Sequence, residues 1–425
     1  MGSALPSYEE AAAMVAACAG QLAKSRRSAP AERIALGAAA GRVLAQTIRA
    51  DLDQPPFARS TRDGFACRAA EASAHEFLSI TGSTRAGKAP AGSLQPGSAW
   101  EIMTGAPVPE GADAVVMIEH VEVAGDRVRL LPERKVHERE NIVAQGAQAR
   151  AGDELLSAGT AITFAHIALA ATCGCASLDV YPRPRVAILT TGDELVPVKS
   201  SPAPGQIRNS NAPMLAAMVA AAGGEPRVLP TAKDNTQSLD RSLAQAAEAD
   251  MLLISGGVSA GKFDLVEPAL VRAGAQFHFT GVRIQPGKPL VFGELPARKG
   301  HDSQNENDTK YFFGLPGNPV SSAVTFLLFA APILAALAGN RECGPRFALA
   351  RLARETDRHA KPGLTRFLPA TCNFNPPRGQ LPEVELVSWQ GSGDLAALAR
   401  SNCFLVIPEE AARLSAGDIV CILLF

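Results

Sequence analysis

The spacing of apolar residues changes character along the chain, and each change marks a different kind of element. Residues 8–25 (YEEAAAMVAACAGQLAKS) return an apolar side chain every three or four positions. That is the period of an amphipathic helix, and PAERIALGAAAGRVLAQTI after it predicts a second helix, broken at Gly41. From about residue 49 to 142 the texture shortens. Runs such as FLSITGST and SAWEIMTG alternate with Gly and Pro, which predicts strands, and Ala124-Gly125-Asp126 predicts a hairpin turn. A helical stretch is predicted near 161–172. Segments 5–48 and 143–182 are expected to pack as one discontinuous unit.

From residue 184 the pattern is strand, helix, strand, helix. RVAILTTG, EPRVLPTAKD and DMLLISGG predict strands, with FHFTGVRI, PLVFGEL and KYFFGLP after them. APMLAAMVAAAGG, NTQSLDRSLAQAAEA and DLVEPALVRAG predict helices between them, and NPVSSAVTFLLFAAPILAALAG predicts a closing helix. Near-continuous apolar strands between helices imply a parallel, doubly wound sheet covered on both faces. The polar insert ARKGHDSQNENDTK (297–310) predicts an exposed loop. From about residue 340 the β texture returns in five runs, which predicts a small barrel or sandwich.

A chain of 425 residues corresponds to about three domains. The formal net charge is −1, without a basic stripe carrying interleaved aromatics, which argues against nucleic acid as the main partner. The eight cysteines include no C-x-x-C pair and are expected as reduced, buried thiols. The N-terminus carries Glu9 and Glu10 and no early positive charge, so no secretory signal is expected; the myristoylation pattern fails at Pro6. The expectation is cytoplasmic. Two apolar stretches, 161–180 and 321–339, approach the roughly 20 residues of a membrane span. Both lie between ordinary globular segments, so buried helices and no membrane partner are expected.

In a doubly wound sheet, ligands sit beyond the carboxyl ends of the strands. Gly192-Asp193-Glu194, Asp234, the run Ser255-Gly256-Gly257-Val258-Ser259 with Asp264, and Leu315-Pro316-Gly317-Asn318-Pro319 follow such strands. Each has a purely structural reading. Asn318-Pro319 suits a helix N-cap with Pro at the first position. Asp264-x-x-Glu267 suits a capping box. Two Gly-rich turns on one sheet edge instead suggest a ligand with phosphate groups, bound by exposed amides and helix dipoles. The nearby carboxylates suggest a divalent cation between them. Gly256-x4-Gly261-Lys262 is one residue short of a P-loop, but Phe263 stands where Ser or Thr would hold Mg²⁺. An ATPase reading is therefore disfavoured, and Lys262 is more simply a solvated lysine.

TGDELVP, GQIRNSN, SGGVSAGKFD, IQPGKPLVFG and GLPGNPVSS, in that order, resemble the molybdopterin molybdenumtransferase family, the MoeA-type proteins with gephyrin's E domain. STRDGFA, IMTGAPVPEGADAVVMIEH and QGSGD extend the resemblance over nearly the whole chain. It implies a multidomain α/β protein. The parts would be a helical linker region (5–48 and 143–182), a β-rich inserted domain (49–142), a molybdopterin-binding α/β domain (183–339) and a C-terminal β-barrel (340–425). It implies a homodimer whose active site is shared between chains. The implied substrates are adenylylated molybdopterin and molybdate, with AMP released and Mg²⁺ or a similar cation assisting.

Carried over by motif, Ser255, Gly256, Gly257, Ser259, Pro286, Gly287, Gly317, Asn318, Pro319 and Ser392 would bind the pterin nucleotide. Asp234 and Asp264 would hold the cation, Glu194 would line the same pocket, and Lys288 would meet anionic charge. Asp63 and Thr104 would come from the partner chain. A molybdopterin adenylyltransferase and a molybdoenzyme are the implied protein partners. The chain departs from the family at Arg62, usually Met, at Gln285, often Lys, and at Gln148, often an acid. Phe263 and Leu265 flank Asp264 in place of the common small and aromatic neighbours. These departures keep open a second reading, a carrier that binds the pterin without inserting metal.

Overall fold

The structure is a computed structural model that describes residues 5–26, 30–257, 265–296, 309–356, 363–411 and 413–425. Its N-terminal helix, Tyr8–Ser25, starts at a capping box. The Ser7 hydroxyl accepts from the Glu10 amide at 3.1 Å, and the Glu10 carboxylate accepts from the Ser7 amide at 2.7 Å. The helix buries Ala11, Val15 and Ala19 against the closing helix. The second predicted helix does not form. Glu32–Ala35 is instead a strand paired antiparallel with Ser177–Val180, followed by a single 3₁₀ turn, Leu36–Ala38. Gly37 and Gly41 leave no uninterrupted run long enough for a stable helix, and strand pairing satisfies the amides. Leu44 and Ile48 then share one small core with Ile162 and Leu178.

The β-rich region holds a six-stranded sheet in the order Ala114–Met117, Gly64–Cys67, Ser98–Ile102, Leu78–Thr84, Arg127–Leu130, Val121–Ala124. Ala124 pairs with Arg127, so Gly125 and Asp126 form the expected hairpin turn. Gly64 has no room for a side chain: a Cβ there would lie 1.9 Å from the Val116 carbonyl oxygen.

The α/β region is a six-stranded sheet in the order Glu225–Val228, Arg185–Thr190, Met251–Ser255, Thr309–Leu315, Val291–Pro296, Gln276–Thr280. The first four strands run parallel, but the last two join antiparallel, so the sheet is mixed where an all-parallel one was expected. Burial on both faces produces the same apolar run in either direction, so the pattern could not reveal strand polarity. Successive residues of one strand serve opposite cores: Val186 and Ile188 face one, Ala187 and Leu189 the other.

The closing helix runs Pro319–Leu337 with one π turn at Phe326–Ala330. Proline removes an amide donor from a helix interior. The wider turn places Pro332 at the start of the next helical segment, where that donor has no bond to lose. Among the described residues this is the one helix long and apolar enough to cross a membrane, and 83% of its apolar window is buried, as a core helix requires. The other apolar stretch, 161–180, divides into a nine-residue helix, Phe164–Thr172, and a strand, Ser177–Val180.

At the C-terminus five strands close on themselves. Thr365–Asn373 pairs with Glu383–Leu386 on one side and Cys403–Ile407 on the other; Phe347–Leu352 and Ile419–Leu424 complete the ring. The result is a barrel rather than a sandwich. Ile284–Gln285 adds to its edge beside Thr365–Arg366, which ties the barrel to the α/β region.

Candidate active site

A cavity of about 680 Å³ opens at the carboxyl ends of the parallel strands. The turn after Met251–Ser255 forms one wall. Gly256 and Gly257 have φ of +95° and +65°, and a Cβ on either would come within 2.8 Å of Thr191 atoms, so only glycine fits. The turn after Thr309–Leu315 forms the next wall. Gly317 lies so close that a Cβ on it would be 3.6 Å from the Gly256 Cα. The two turns therefore abut, backbone against backbone.

Asn211, at the start of helix Asn211–Ala221, staples them. Its Nδ2 donates to the Ser255 hydroxyl at 2.8 Å and to the Gly317 carbonyl at 2.7 Å. Asn209 fixes the start of the same helix: its Oδ1 accepts from the Ala212 amide at 3.1 Å, and its Nδ2 donates to the Thr190 hydroxyl at 2.8 Å. Both asparagines are buried. Among the described residues, the Asn211 Oδ1 and the Thr191 hydroxyl have no hydrogen-bond partner, although both are buried. Buried polar atoms are nearly always paired, so unsatisfied ones beside a cavity mark places for a ligand or water. Asn209 and Asn211 fall within the GQIRNSN motif, yet neither they nor Thr191 is among the residues expected at the site. Polar residues between a strand and an apolar helix, at the point where the sheet order reverses, were the available signal.

Asn318 occupies the N-cap position of the closing helix with Pro319 next, as the structural reading predicts, but its side chain makes no cap bond. Its Nδ2 donates instead to the Ser392 hydroxyl at 2.8 Å, and the Ser392 carbonyl accepts from the Val320 amide at 3.0 Å. These bonds bring the QGSGD turn of the barrel region to the cavity, where Gly393 and Leu395 join the lining.

Glu194 and Asp234 line the same cavity. Gly192 leaves room for the Glu194 carboxylate, which would lie 2.6 Å from a Cβ at that position. The Asp234 amide donates to an Asp193 carboxylate oxygen at 3.3 Å. Partial enclosure pushes the Asp234 pKa above the usual aspartate value, and the neighbouring Asp193 and Glu194 charges push it further; the Asp193 hydrogen bond opposes them. Carboxylate oxygens, crowded enough to repel one another, suit a hard divalent cation that keeps part of its water. Asp264, Ser259, Lys262 and Phe263 lie outside the described residues, as do residues 297–308 of the expected loop 297–310, whose last two residues begin the strand Thr309–Leu315 instead.

Other expected site residues sit elsewhere. Lys288 is exposed and is not among the cavity lining, although its neighbour Pro289 is. Pro286 and Gly287 are buried and also outside the lining; a Cβ on Gly287 would lie 2.6 Å from the Thr325 methyl. Asp63 and Thr104 stand together on the β-rich region, exposed and away from the cavity lining of their own chain. One Asp63 carboxylate oxygen accepts from the Thr104 amide at 2.6 Å and from its hydroxyl at 2.7 Å. These two donors hold the Asp63 pKa below the usual aspartate value, the amide most strongly.

Comparisons with known proteins cover the chain almost from end to end. Three family models match: the MoeA N-terminal region (domain I and II) over residues 6–174, a "probable molybdopterin binding domain" over 187–336, and the MoeA C-terminal region (domain IV) over 350–425. A molybdopterin molybdenumtransferase of Nostoc sp. is 35% identical over 404 residues, covering 92% of this chain and 88% of its own. Its counterpart in Bacillus subtilis is 36% identical over 405 residues, covering 92% and 89%. The crystal structure of a molybdopterin biosynthesis MoeA protein from Pyrococcus horikoshii OT3 superposes with a TM-score of 0.79 at 27% identity, covering 99% of this chain and 100% of that one.

Proposed function

The chain belongs to the molybdopterin molybdenumtransferase family, and from that premise we propose how its own residues carry the reaction. It is a transferase of molybdenum-cofactor biosynthesis. It takes adenylylated molybdopterin and molybdate, breaks the phosphoanhydride between pterin phosphate and AMP, and leaves molybdenum on the pterin. The observation that carries this reading is the single cavity in which two abutting glycine turns, stapled by Asn211, face the carboxylates Glu194 and Asp234.

The Gly256-Gly257 and Gly317-Asn318 turns seat phosphate oxygens on backbone amides at the start of the closing helix. Asn211 keeps the turns in register, and Asn318 with Ser392 closes the side next to the barrel region. Asp234 and Glu194 would hold Mg²⁺ or a similar cation. When bound, that cation neutralises charge on the phosphoanhydride and on molybdate. Lys288 approaches the anions from the exposed side of the cavity. Asp63 and Thr104 reach the cavity of a partner chain in a homodimer, which explains an ordered acceptor pair with no pocket of its own. The protein works in the cytoplasm, between a molybdopterin adenylyltransferase and a recipient molybdoenzyme.

Two of the departures, Gln285 and Gln148, lie outside the cavity lining of their own chain. Gln285 lies in the strand that pairs with Thr365–Arg366, outside the cavity lining. The Gln148 amide donates to the Gln54 carbonyl at 2.8 Å in the linker region. The deciding experiment is molybdate-dependent AMP release from adenylylated molybdopterin by purified protein with Mg²⁺. Release from the wild type, lost in Asp234→Asn, is expected. Pterin binding without release would return the carrier reading to first place.

A further inference from the structure

Away from the cavity, three metal-ligating side chains meet that are far apart in sequence. Cys18 comes from the N-terminal helix, His278 from the edge strand Gln276–Thr280, and Glu294 from Val291–Pro296. Their ligating atoms all lie within 4.8 Å of one another. None of the three lines the cavity. Glu294 pairs with Tyr311, which pairs with Met251 at the opposite end of the strand from Ser255. Four residues of strand separate the cluster from the cavity rim by roughly 13 Å along the strand direction alone.

We propose that Cys18, His278 and Glu294 form a binding site for a borderline divalent cation of the Zn²⁺ type. The edge strand carries a bulge here: Phe277 pairs with Gly293 and Phe279 with Phe292, which leaves His278 as the extra residue. A bulge re-aims the side chain it inserts. The His278 ring stacks on Phe292 with centroids 4.8 Å apart, and its Nε2 lies 2.9 Å from a Glu294 carboxylate oxygen. Phe292 and Glu294 are two residues apart and so share a face of the sheet. The N-terminal helix covers that face and brings the half-buried Cys18 thiol to the pair, and the Tyr311 hydroxyl interacts with both Cys18 and Glu294.

One sulfur, one imidazole nitrogen and one carboxylate oxygen make a mixed donor set that zinc accepts and magnesium does not. Bonds of zinc length place ligand atoms about 3.5 Å apart around a tetrahedron, within a rotamer adjustment of the separations here. The exposure of His278 leaves the fourth position open to water and gives the ion an entry path. Binding releases the thiol proton to solvent. The bound ion would clip the N-terminal helix to the sheet edge across a loop of some 260 residues, between Cys18 and His278. Cysteine spacing could not reveal the site, because its ligands share no local motif.

The test is titration of the metal-free full-length protein with Co²⁺ alone, read in the near ultraviolet. The expected result is a thiolate-to-cobalt charge-transfer band that saturates at one equivalent and is displaced by Zn²⁺. It should vanish in Cys18→Ser and weaken in Glu294→Gln, each with an unchanged circular dichroism spectrum. The cavity contributes no such band, because no cysteine lines it. Absence of the band in the wild type, or its survival in Cys18→Ser, would overturn the proposal.

Discussion

Two aspartates in two regions of this molecule have been driven in opposite directions. Asp63 stands exposed on the β-rich region, yet two donors from Thr104 hold it ionised to lower pH than an ordinary aspartate. Asp234 stands on the rim of the α/β cavity, where enclosure and two neighbouring carboxylates hold it closer to neutrality. The difference lies in what each residue is given to face. Asp63 faces donors and is a fixed acceptor, oriented before anything binds. Asp234 faces like charge and gains when a cation arrives. One carboxylate suits positioning, the other metal chemistry, and the shared residue type says nothing of the division.

The comparison breaks first at Asp234. Asp234→Asn should lower molybdate-dependent AMP release on the order of 10²-fold or more, since a cation ligand and its charge are lost together. Unchanged turnover would remove Asp234 from the chemistry. Asn211→Ala should come next, because it strips the donor from Ser255 and Gly317 at once. Leaving buried polar groups unpaired costs about 1–3 kcal/mol, readable as a lower denaturant midpoint with an unchanged slope. Mixing inactive Asp63→Asn and Asp234→Asn proteins tests whether the two aspartates serve one shared site. Random subunit exchange at equal amounts should restore about a quarter of wild-type activity, and a mixture that stays inactive would separate them.

The smaller effects concern protons. Thr104→Val keeps the amide donor and removes the hydroxyl, so the Asp63 pKa should rise toward the ordinary aspartate value in an NMR titration. A lowered native pKa contributes stability above the unfolded value and loses it as pH falls through the native one, so the acid-dependent loss should be smaller in the variant and complete at a higher pH. Asp234 has the opposite sign. Its native pKa is raised, so the native state holds its proton longer and stability declines as pH rises through that value. Without divalent cations, Asp234→Asn should therefore melt slightly higher than the wild type at neutral pH. Mg²⁺ should raise the wild-type melting temperature and leave the variant's unchanged.

What could be read in the sequence divides along the same physical line. Gly256 and Gly257 stood out because a backbone with positive φ pressed against its neighbours excludes side chains, and that demand is written locally. Glu194 and Asp234 were legible because strand ends in such sheets converge. Residues 30–48 misled because alanine-rich texture favours helix, and only the distant strand Ser177–Val180 decides otherwise. The antiparallel edge of the sheet was hidden by burial on both faces. Asn211 joins two loops that are 62 residues apart in the chain, Ser255 and Gly317, and nothing near any of the three announces the bond.

The closing helix and the barrel have a consequence for the gene. Phe326 and Leu328 of the helix share a core with Phe367, Phe404 and Leu423 of the barrel. A nonsense codon beyond residue 350 would delete strands remote in sequence from the glycine turns and the carboxylates of the cavity. It would also unroof a segment with the hydropathy of a membrane span. The shortened polypeptide would be a client for chaperones and proteases before it could be a weakened enzyme. Frameshifts within the barrel region should therefore act as null alleles.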